Sequence, residues 1–187
     1  MTPQTPERWT RAQQYPDTWV DPAEDPRESQ RPLVTERDVL VEYLRRYRLT
    51  LELKCADLSA EDLARRSVPP STLSLLGLVR HLSEVERGWF RRTMAGLDAP
   101  PHFYSKDDPD GDFDNAKPDP ALVDQAWQAW REEVAFAEGF VADHDLDHEG
   151  VTGVRLREVV VHLIEEYARH AGHADLLRER IDGRVGQ

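Results

Sequence analysis

Apolar residues recur every three or four positions in long stretches of this chain, which is the periodicity of an amphipathic helix. Four such stretches occur, at residues 35–55, 74–95, 121–141 and 155–181. A shorter helix is predicted at 60–66, where Ser59 is suited to cap the first turn and Pro69 follows the end. No stretch alternates strictly between apolar and polar residues, as a half-buried strand does. The pattern predicts an all-α protein, a four-helix bundle with long crossover connections.

The ends of these helices carry recognisable capping residues. Thr35 followed by Asp38 forms a near capping box at the start of the first helix. Asp119 caps the third long helix, with Pro120 at its first position. The last helix runs into Gly183, a typical residue beyond a helix C-terminus. The boundaries are therefore predicted from local chemistry as well as from periodicity.

Two segments lack helical periodicity. Residues 1–34 are rich in proline and charge, and they form an extended or partly disordered arm outside the bundle of residues 35–187. Trp9 and Trp19 are the large side chains that could strap this arm to the domain. A partly disordered tail is the alternative. The second segment is the loop 97–118, which we expect to cover one end of the bundle and to shape substrate access.

The loop contains the sequence DDPDGD at residues 107–112, which resembles half of a calcium-binding loop in composition. A calcium loop of the helix–loop–helix type needs a bidentate glutamate at its twelfth position. Counting from Asp110, that position falls at Ala121-Leu122, which offers no carboxylate. Calcium binding is therefore disfavoured, and no residue of the loop by itself specifies a chemistry.

Composition excludes several classes of function. The formal net charge of −12 argues against a nucleic-acid surface, which needs a basic face. No apolar run approaches the roughly 20 residues of a membrane-spanning helix, and the first residues lack the apolar core of a secretory signal. The single cysteine, Cys55, rules out an internal disulfide and fits a reducing cytoplasm. We expect a cytoplasmic protein, for which a homodimer through helix faces is compatible with the pattern.

The candidate chemistry lies in the last helix. His162, Glu166, His170 and His173 fall within roughly a quarter-turn of one another, since a helix advances about 100° per residue. Residues three or four apart on a helix are close enough for both side chains to bind one cation. His81 lies on the apolar face of the second long helix. Histidine and glutamate directed inward from two helices suggest a divalent metal site in the bundle.

Two other interpretations of these histidines stay open. His81 or His162, taken alone, is typical of a core histidine with satisfied hydrogen bonds, and the last helix could expose this face to solvent. Against them, burying three imidazoles and a carboxylate without partners would cost several kcal/mol, which a metal would offset.

Two segments together resemble a known family. The sequence HLSEVERGWF, starting at His81, and the sequence HLIEEYARHAGHADLLRERIDG, starting at His162, are similar to the DinB/YfiT-like superfamily, and in particular to an actinobacterial branch related to mycothiol-dependent transferases. The resemblance covers about residues 35–183. It implies a four-helix bundle with a divalent metal, usually zinc or nickel, held by three side chains. One ligand is a histidine on the second helix, which matches His81.

The resemblance also implies two ligands from the last helix, often a His–His or Glu–His pair four residues apart. This sequence departs from that pattern, because the residue four before His173 is Arg169, which is not a metal ligand. The pair is then His170 with His173, or Glu166 with His170. We favour the first, with Glu166 as a third ligand or a residue behind the ligands. Arg169 could bind a substrate carboxylate; an ion pair with Glu165 or Glu166 is the alternative.

Four residues near the candidate ligands have lesser predicted roles. Glu84 and Asp175 are candidates to orient the imidazoles, with exposure on the surface as the alternative. Trp89 and Tyr167 are candidates for the pocket wall, although packing in the core is the better interpretation.

Three protein ligands with an open position are typical of a catalytic metal. The resemblance implies a low-molecular-weight thiol, similar to mycothiol, as co-substrate. Its metal-bound thiolate would attack a small electrophile in an S-transfer or a thiol-dependent isomerisation. No side chain is assigned as a catalytic acid or base. A non-catalytic metal-binding or stress-associated bundle is the second hypothesis, and a metal-free dimerisation module is a weaker third.

Overall fold

The computed structural model describes residues 5–29 and 31–187. Its helices are α1 (Glu36–Cys55), α2 (Ala60–Ala64), α3 (Leu75–Glu86, continued by a π-helix at Arg87–Met94), α4 (Gly111–Asp114), α5 (Pro120–Asp143) and α6 (Leu156–Asp182). Within the described residues, strand-type pairing is limited to two isolated bridges. The predicted all-α fold is confirmed.

The helix ends follow the capping residues. The Thr35 side chain accepts a hydrogen bond from the Asp38 backbone N–H, and the Asp38 carboxylate accepts one from the Thr35 backbone N–H, which completes the capping box. Gly183 ends α6 with a φ of 83°, in the left-handed region that glycine adopts without a steric penalty. Local sequence therefore determines where these helices begin and end.

Two features differ from a simple helical pattern. The second long helix reaches Met94, close to the expected end, but its last part has π geometry from Arg87 onward. The loop 97–118 contains the four-residue helix α4, which is too short to produce a periodic pattern in the sequence. Both features lie beside the candidate site.

The bundle is organised by two main helix contacts. α1 packs against α6, and α3 packs against α5, while α3 also contacts α6. The centre of the core consists of aliphatic side chains that are almost completely buried, among them Leu75, Leu78, Leu82, Leu156 and Leu163. Burial of such side chains is the main stabilising contribution in a bundle of this size.

A buried polar network connects all four long helices. The Arg48 guanidinium of α1 donates two hydrogen bonds of 2.8 Å to the Glu86 carboxylate of α3. The Tyr167 hydroxyl of α6 donates to Glu86 Oε1 at 2.9 Å, and the Trp130 indole N–H of α5 donates to the Tyr167 oxygen at 2.8 Å. Burial opposes the charge of Arg48, but the Glu86 carboxylate outweighs that effect and raises the pKa of Arg48. The network thus links the inward faces of the four long helices.

The described part of the arm lies along the C-terminal residues of the chain. The Trp9 backbone N–H donates to the Gly183 carbonyl at 3.0 Å, and the Trp19 N–H donates to the Gln187 carbonyl at 3.0 Å. Trp19 is buried to 1% exposure, whereas Trp9 remains 41% exposed. The Lys54 ammonium and the Arg184 guanidinium lie over the Trp19 ring, at 4.0 and 3.7 Å from its centre. Trp19 is therefore the main anchor of the arm on the bundle.

The loop 97–118 is held against α3 by one arginine. Arg80 donates hydrogen bonds of 2.8 Å to the carbonyl oxygens of Gly111 and Asp112. These bonds hold α4 against α3, on the side that carries His81. Among the described residues, no helix is long and apolar enough to cross a membrane.

Candidate metal centre

The contact between α3 and α6 brings three potential ligands together. His81, Glu166 and His170 each direct one donor atom to a common point, and these atoms all lie within 4.8 Å of one another. Glu166 Oε2 is 4.0 Å from His81 Nε2 and 3.6 Å from His170 Nε2. Zinc bonds of about 2.0–2.2 Å in a tetrahedral site place donors roughly 3.4 Å apart. The three side chains could thus hold a metal after small rotations.

The ring of His81 is oriented by the loop. His81 Nδ1 lies 2.8 Å from Asp112 Oδ2, and Asp112 is 5% exposed. The Phe113 ring stacks on the imidazole with the ring centres 4.6 Å apart. A carboxylate accepts hydrogen bonds, so Nδ1 donates to Asp112, and Nε2 is the nitrogen that points towards Glu166. A carboxylate behind a ligand histidine is the usual way in which proteins fix its tautomer.

Asp112 was not predicted as part of the site. It lies in the DDPDGD segment, whose composition by itself resembles only half of a calcium loop. A signal was available, because a metal-binding histidine usually has a carboxylate or carbonyl partner for its second nitrogen. Choosing among the many acidic residues of the loop, however, required knowledge of how the loop folds back onto α3.

His170 is suited to act as a neutral ligand. Its side chain is buried, with 7% exposure, and burial lowers its pKa to about 4, with further lowering from His81, His173 and Arg169. At neutral pH the ring is therefore uncharged and has a free lone pair. Its Nδ1 lies 3.3 Å from His173 Nδ1, which leaves Nε2 directed towards Glu166.

His173 lies behind His170 rather than among the three converging donors. The ring centres of the two histidines are 5.2 Å apart and nearly perpendicular. Of the two ligand pairs considered for the last helix, Glu166 with His170 is the one whose donor atoms converge with His81. The preferred pair, His170 with His173, remains a prediction. In the present geometry His173 is placed to exchange a hydrogen bond with His170.

His162 contacts the other oxygen of Glu166. His162 Nε2 is 3.6 Å from Glu166 Oε1, and its ring packs against Trp89 with the centres 4.7 Å apart. The imidazole is partly exposed, so it is neither a buried core residue nor one of the three converging donors. Its position helps to keep Oε2 of Glu166 directed towards His81 and His170.

Among the described residues, the side chains of Arg169, Glu84 and Asp175 form no hydrogen bond or ion pair with the three converging ligands. Arg169 is exposed, and within the described chain it forms no ion pair with Glu165 or Glu166 or with another carboxylate. The predicted orienting roles of Glu84 and Asp175 are wrong. Glu84 accepts the backbone N–H groups of His102 and Phe103, and Asp175 pairs with Lys54 at 2.6 Å.

A cavity of about 420 Å³ opens beside His81. Its walls include both predicted and unpredicted residues, namely His81, Glu84, Val85, Trp89, Arg92 and Asp112. Trp89 therefore lines the cavity, as predicted, while Tyr167 belongs to the buried polar network. A larger cavity, of about 550 Å³, lies between residues 31–33, α1 and α5 and contains none of the candidate ligands.

Comparison with known proteins gives a matching family and a similar fold. A family model described as mycothiol-S-transferase matches residues 39–183. A solved structure, the conserved protein of a locus from Enterococcus faecalis, superposes on the chain with a TM-score of 0.53 at 14% identity. The match covers 79% of this chain and 98% of the other. At that identity the likeness concerns the fold alone. No curated protein matches the sequence.

Proposed function

Because the chain belongs to the mycothiol S-transferase family, a DinB/YfiT-like family, we propose that it is a metal-dependent transferase. Its co-substrate would be a low-molecular-weight thiol of the mycothiol type, and its second substrate a small electrophile. The observation that supports this proposal is the convergence of His81, Glu166 and His170, of which His81 also lines a cavity large enough for a small molecule.

The donor set fits a divalent metal. Two neutral imidazole nitrogens and one carboxylate oxygen are ligands for zinc, nickel and iron alike, and the family resemblance favours zinc or nickel. Three protein ligands leave at least one coordination position for a substrate, which is typical of a catalytic site. We propose His81 and His170 as two ligands and Glu166 as the third, with His173 as the alternative third ligand.

The protein's own cysteine cannot supply the nucleophile. Cys55 is buried in the core, and burial raises the pKa of its thiol to about 12, so it stays protonated at neutral pH. A thiol that reacts at this site must therefore come from outside the chain. When bound, a divalent metal supplies the Lewis acidity that converts a coordinated thiol into a thiolate near neutral pH.

The residues around the ligands then have separate tasks. Asp112 keeps the proton of His81 on Nδ1, so that Nε2 faces the site. His173 contacts the Nδ1 of His170, which leaves the Nε2 of His170 facing the site. His162 contacts Oε1 of Glu166, the oxygen that does not face His81 and His170. The loop 97–118, anchored by Arg80, covers this end of the bundle and limits the entry of water.

The test combines metal analysis with a thiol-transfer assay. We expect about one zinc or nickel ion per purified, tag-free chain, and we expect its loss in His81→Ala and His170→Ala. His144→Ala is the matched control, because His144 stacks on Phe140 away from the site. Loss of metal in Glu166→Gln but not in His173→Ala would support the converging set, and the reverse would support His173 as ligand.

Activity is measured as mycothiol consumption with a panel of alkyl halides, epoxides and activated alkenes. Activity that disappears in His81→Ala and persists in His144→Ala would support the transferase. A metal-loaded protein without thiol transfer against the whole panel would favour the non-catalytic metal-binding bundle. A protein that takes up no metal even after supplementation would overturn the proposal.

A further inference from the structure

We propose that Arg92 binds a carboxylate of the substrate in the cavity beside His81. This proposal rests on the proposed function, since it assigns the second end of the molecule whose reactive end is at the candidate metal centre. It specifies a substrate class, namely small molecules with an anionic carboxylate, and a residue that selects them. The argument depends on the cavity, on the charge of Arg92 and on the backbone around it.

The cavity is formed by one face of α3 and its π-helical continuation. His81 and Asp112 lie on its wall together with Trp89 and Arg92, and Tyr104 lines it from the loop. A π-helix is rare, and short π segments occur frequently at functional sites because they redirect side chains on one face. Here the π segment places Arg92 in the same cavity as His81.

Arg92 differs from its neighbours in having no counter-ion. The π segment carries three arginines, and two of them, Arg87 and Arg91, donate to the buried Glu133 carboxylate, at 2.6 and 2.5 Å. Arg92 donates instead to neutral oxygens, the Ala99 carbonyl at 3.0 Å and the Tyr104 hydroxyl at 3.3 Å. No carboxylate of the described residues lies within ion-pair distance of Arg92. A half-buried guanidinium in this state attracts an anion.

Glu84 lies in the same cavity but forms no ion pair with Arg92; burial raises the pKa of Glu84, and the charge of Arg92 offsets only part of that rise. Its carboxylate is 4% exposed, and Oε1 accepts the Phe103 N–H at 2.6 Å. Oε2 has no hydrogen-bond partner among the described residues. The Asp112 carboxylate on the same wall binds His81, so the cavity contains a guanidinium that forms no ion pair with a described carboxylate, and a Glu84 oxygen without a donor. A ligand that carries a carboxylate and a nearby hydroxyl or amide N–H would complement both.

Gly88 provides the space in which the Arg92 guanidinium lies. A Cβ atom at Gly88 would be 2.8 Å from Arg92 Nη2, which is closer than atoms approach in real structures. The guanidinium is thus packed directly on the helix backbone, and its Nη2 also donates to the Tyr104 hydroxyl. This packing restricts the rotamers of Arg92 before any ligand binds, so that less entropy is lost on binding.

The carboxylate could belong to the thiol or to the electrophile, and the probes separate these sources. The first pair is 3-mercaptopropionate and its neutral isostere 3-mercaptopropionamide, each titrated calorimetrically into the zinc-loaded protein. The second pair is propionate and propionamide, titrated in the presence of saturating 2-mercaptoethanol. A preference for the acid only in the first pair assigns the carboxylate to the thiol. A preference in the second pair assigns it to the other substrate.

We expect the wild type to prefer the acid over the amide by about tenfold or more in at least one pair. Arg92→Gln should abolish that preference, and Arg92→Lys should restore only part of it, since lysine lacks the planar fork. The matched control is Arg169→Gln, which removes the exposed arginine near His170. Loss of the preference in Arg169→Gln but not in Arg92→Gln, or no preference in the wild type, would overturn the proposal.

Zinc content and binding of the neutral amide thiol report on the proposed function independently of Arg92. If the protein binds no zinc, the test of Arg92 uses propionate and propionamide alone, observed through the Arg92 Nε–H resonance of isotope-labelled protein. A saturable shift with the acid and none with the amide supports the carboxylate site. Equal shifts, or none, overturn it. The Gly88→Ala variant, which displaces the guanidinium, should weaken acid binding in the same experiment.

Discussion

Removing Arg48 should cost the bundle several kcal/mol of stability, because it leaves a buried carboxylate without its cation. Its guanidinium and the Glu86 carboxylate are almost completely buried, and their two hydrogen bonds join α1 to α3. In Arg48→Met the long side chain is kept, and Glu86 is left without its cation. The Tyr167 hydroxyl is then the one remaining donor to Glu86 that the network contains.

The magnitude follows from burial. Breaking a buried ion pair by removing one partner costs about 3–5 kcal/mol, because the remaining charge loses its compensation. The weaker contact of Arg48 with the exposed Glu138 carboxylate, at 3.5 Å, adds little. For a chain of this size, about 3–5 kcal/mol corresponds to a decrease in Tm of roughly 6–20 °C. The protein is therefore expected to remain folded at room temperature only if its stability exceeds this loss.

The assay is urea unfolding followed by far-ultraviolet circular dichroism, with thermal unfolding alongside. We expect a lower midpoint at an unchanged m-value, which reports a loss of stability without a change in the exposed surface. Arg169→Met is the control, since this exposed arginine pairs with no carboxylate in the described structure, and a change below about 0.5 kcal/mol is expected.

A double variant tests the reason for the loss. In Arg48→Met/Glu86→Gln the buried charge is gone, and the glutamine oxygen can still accept the Tyr167 hydroxyl. We expect it to be more stable than Arg48→Met, with a coupling energy of about 1–3 kcal/mol. A loss below about 1 kcal/mol in Arg48→Met, or a double variant less stable than the sum of the single variants, would refute the argument from uncompensated charge.

Two further predictions concern single carboxylates. Asp112→Asn should weaken zinc binding by about tenfold, because the His81 ring loses the carboxylate that orients it. Competition with a chromophoric chelator measures the zinc affinity. An unchanged affinity would exclude the orienting role of Asp112. The hydrogen bond from Arg45, with those from Ser29 and Arg46, lowers the pKa of Glu42 from 4.5 to about 2. The stabilisation by Glu42 is therefore complete above about pH 4.5 and disappears as the pH falls towards 2. Up to about 3 kcal/mol should be lost over that interval, and Glu42→Gln should remove this part of the pH dependence of urea unfolding.

The fold was predictable from the sequence because its determinants are local. Helical periodicity, the Thr35 and Asp119 caps and the stop at Gly183 depend on residues a few positions apart, and the structure places the long helices close to the predicted bounds. The sequence also predicted which residues share a face of the last helix. His162, Glu166, His170 and His173 were expected on one face of α6, since residues three and four apart on a helix share a face whatever the tertiary structure.

Tertiary structure alone decided how these faces meet. Glu166 and His173 are both within helical reach of His170, so spacing could not choose between them. The crossing of α3 over α6 places the His81 and His170 rings 4.9 Å apart and leaves His173 behind. The roles of Asp112 and Arg92 likewise depend on the tertiary structure. Asp112 reaches His81 across 31 residues, and Arg92 enters the cavity through a π turn, because loop folding and helix packing depend on non-local contacts.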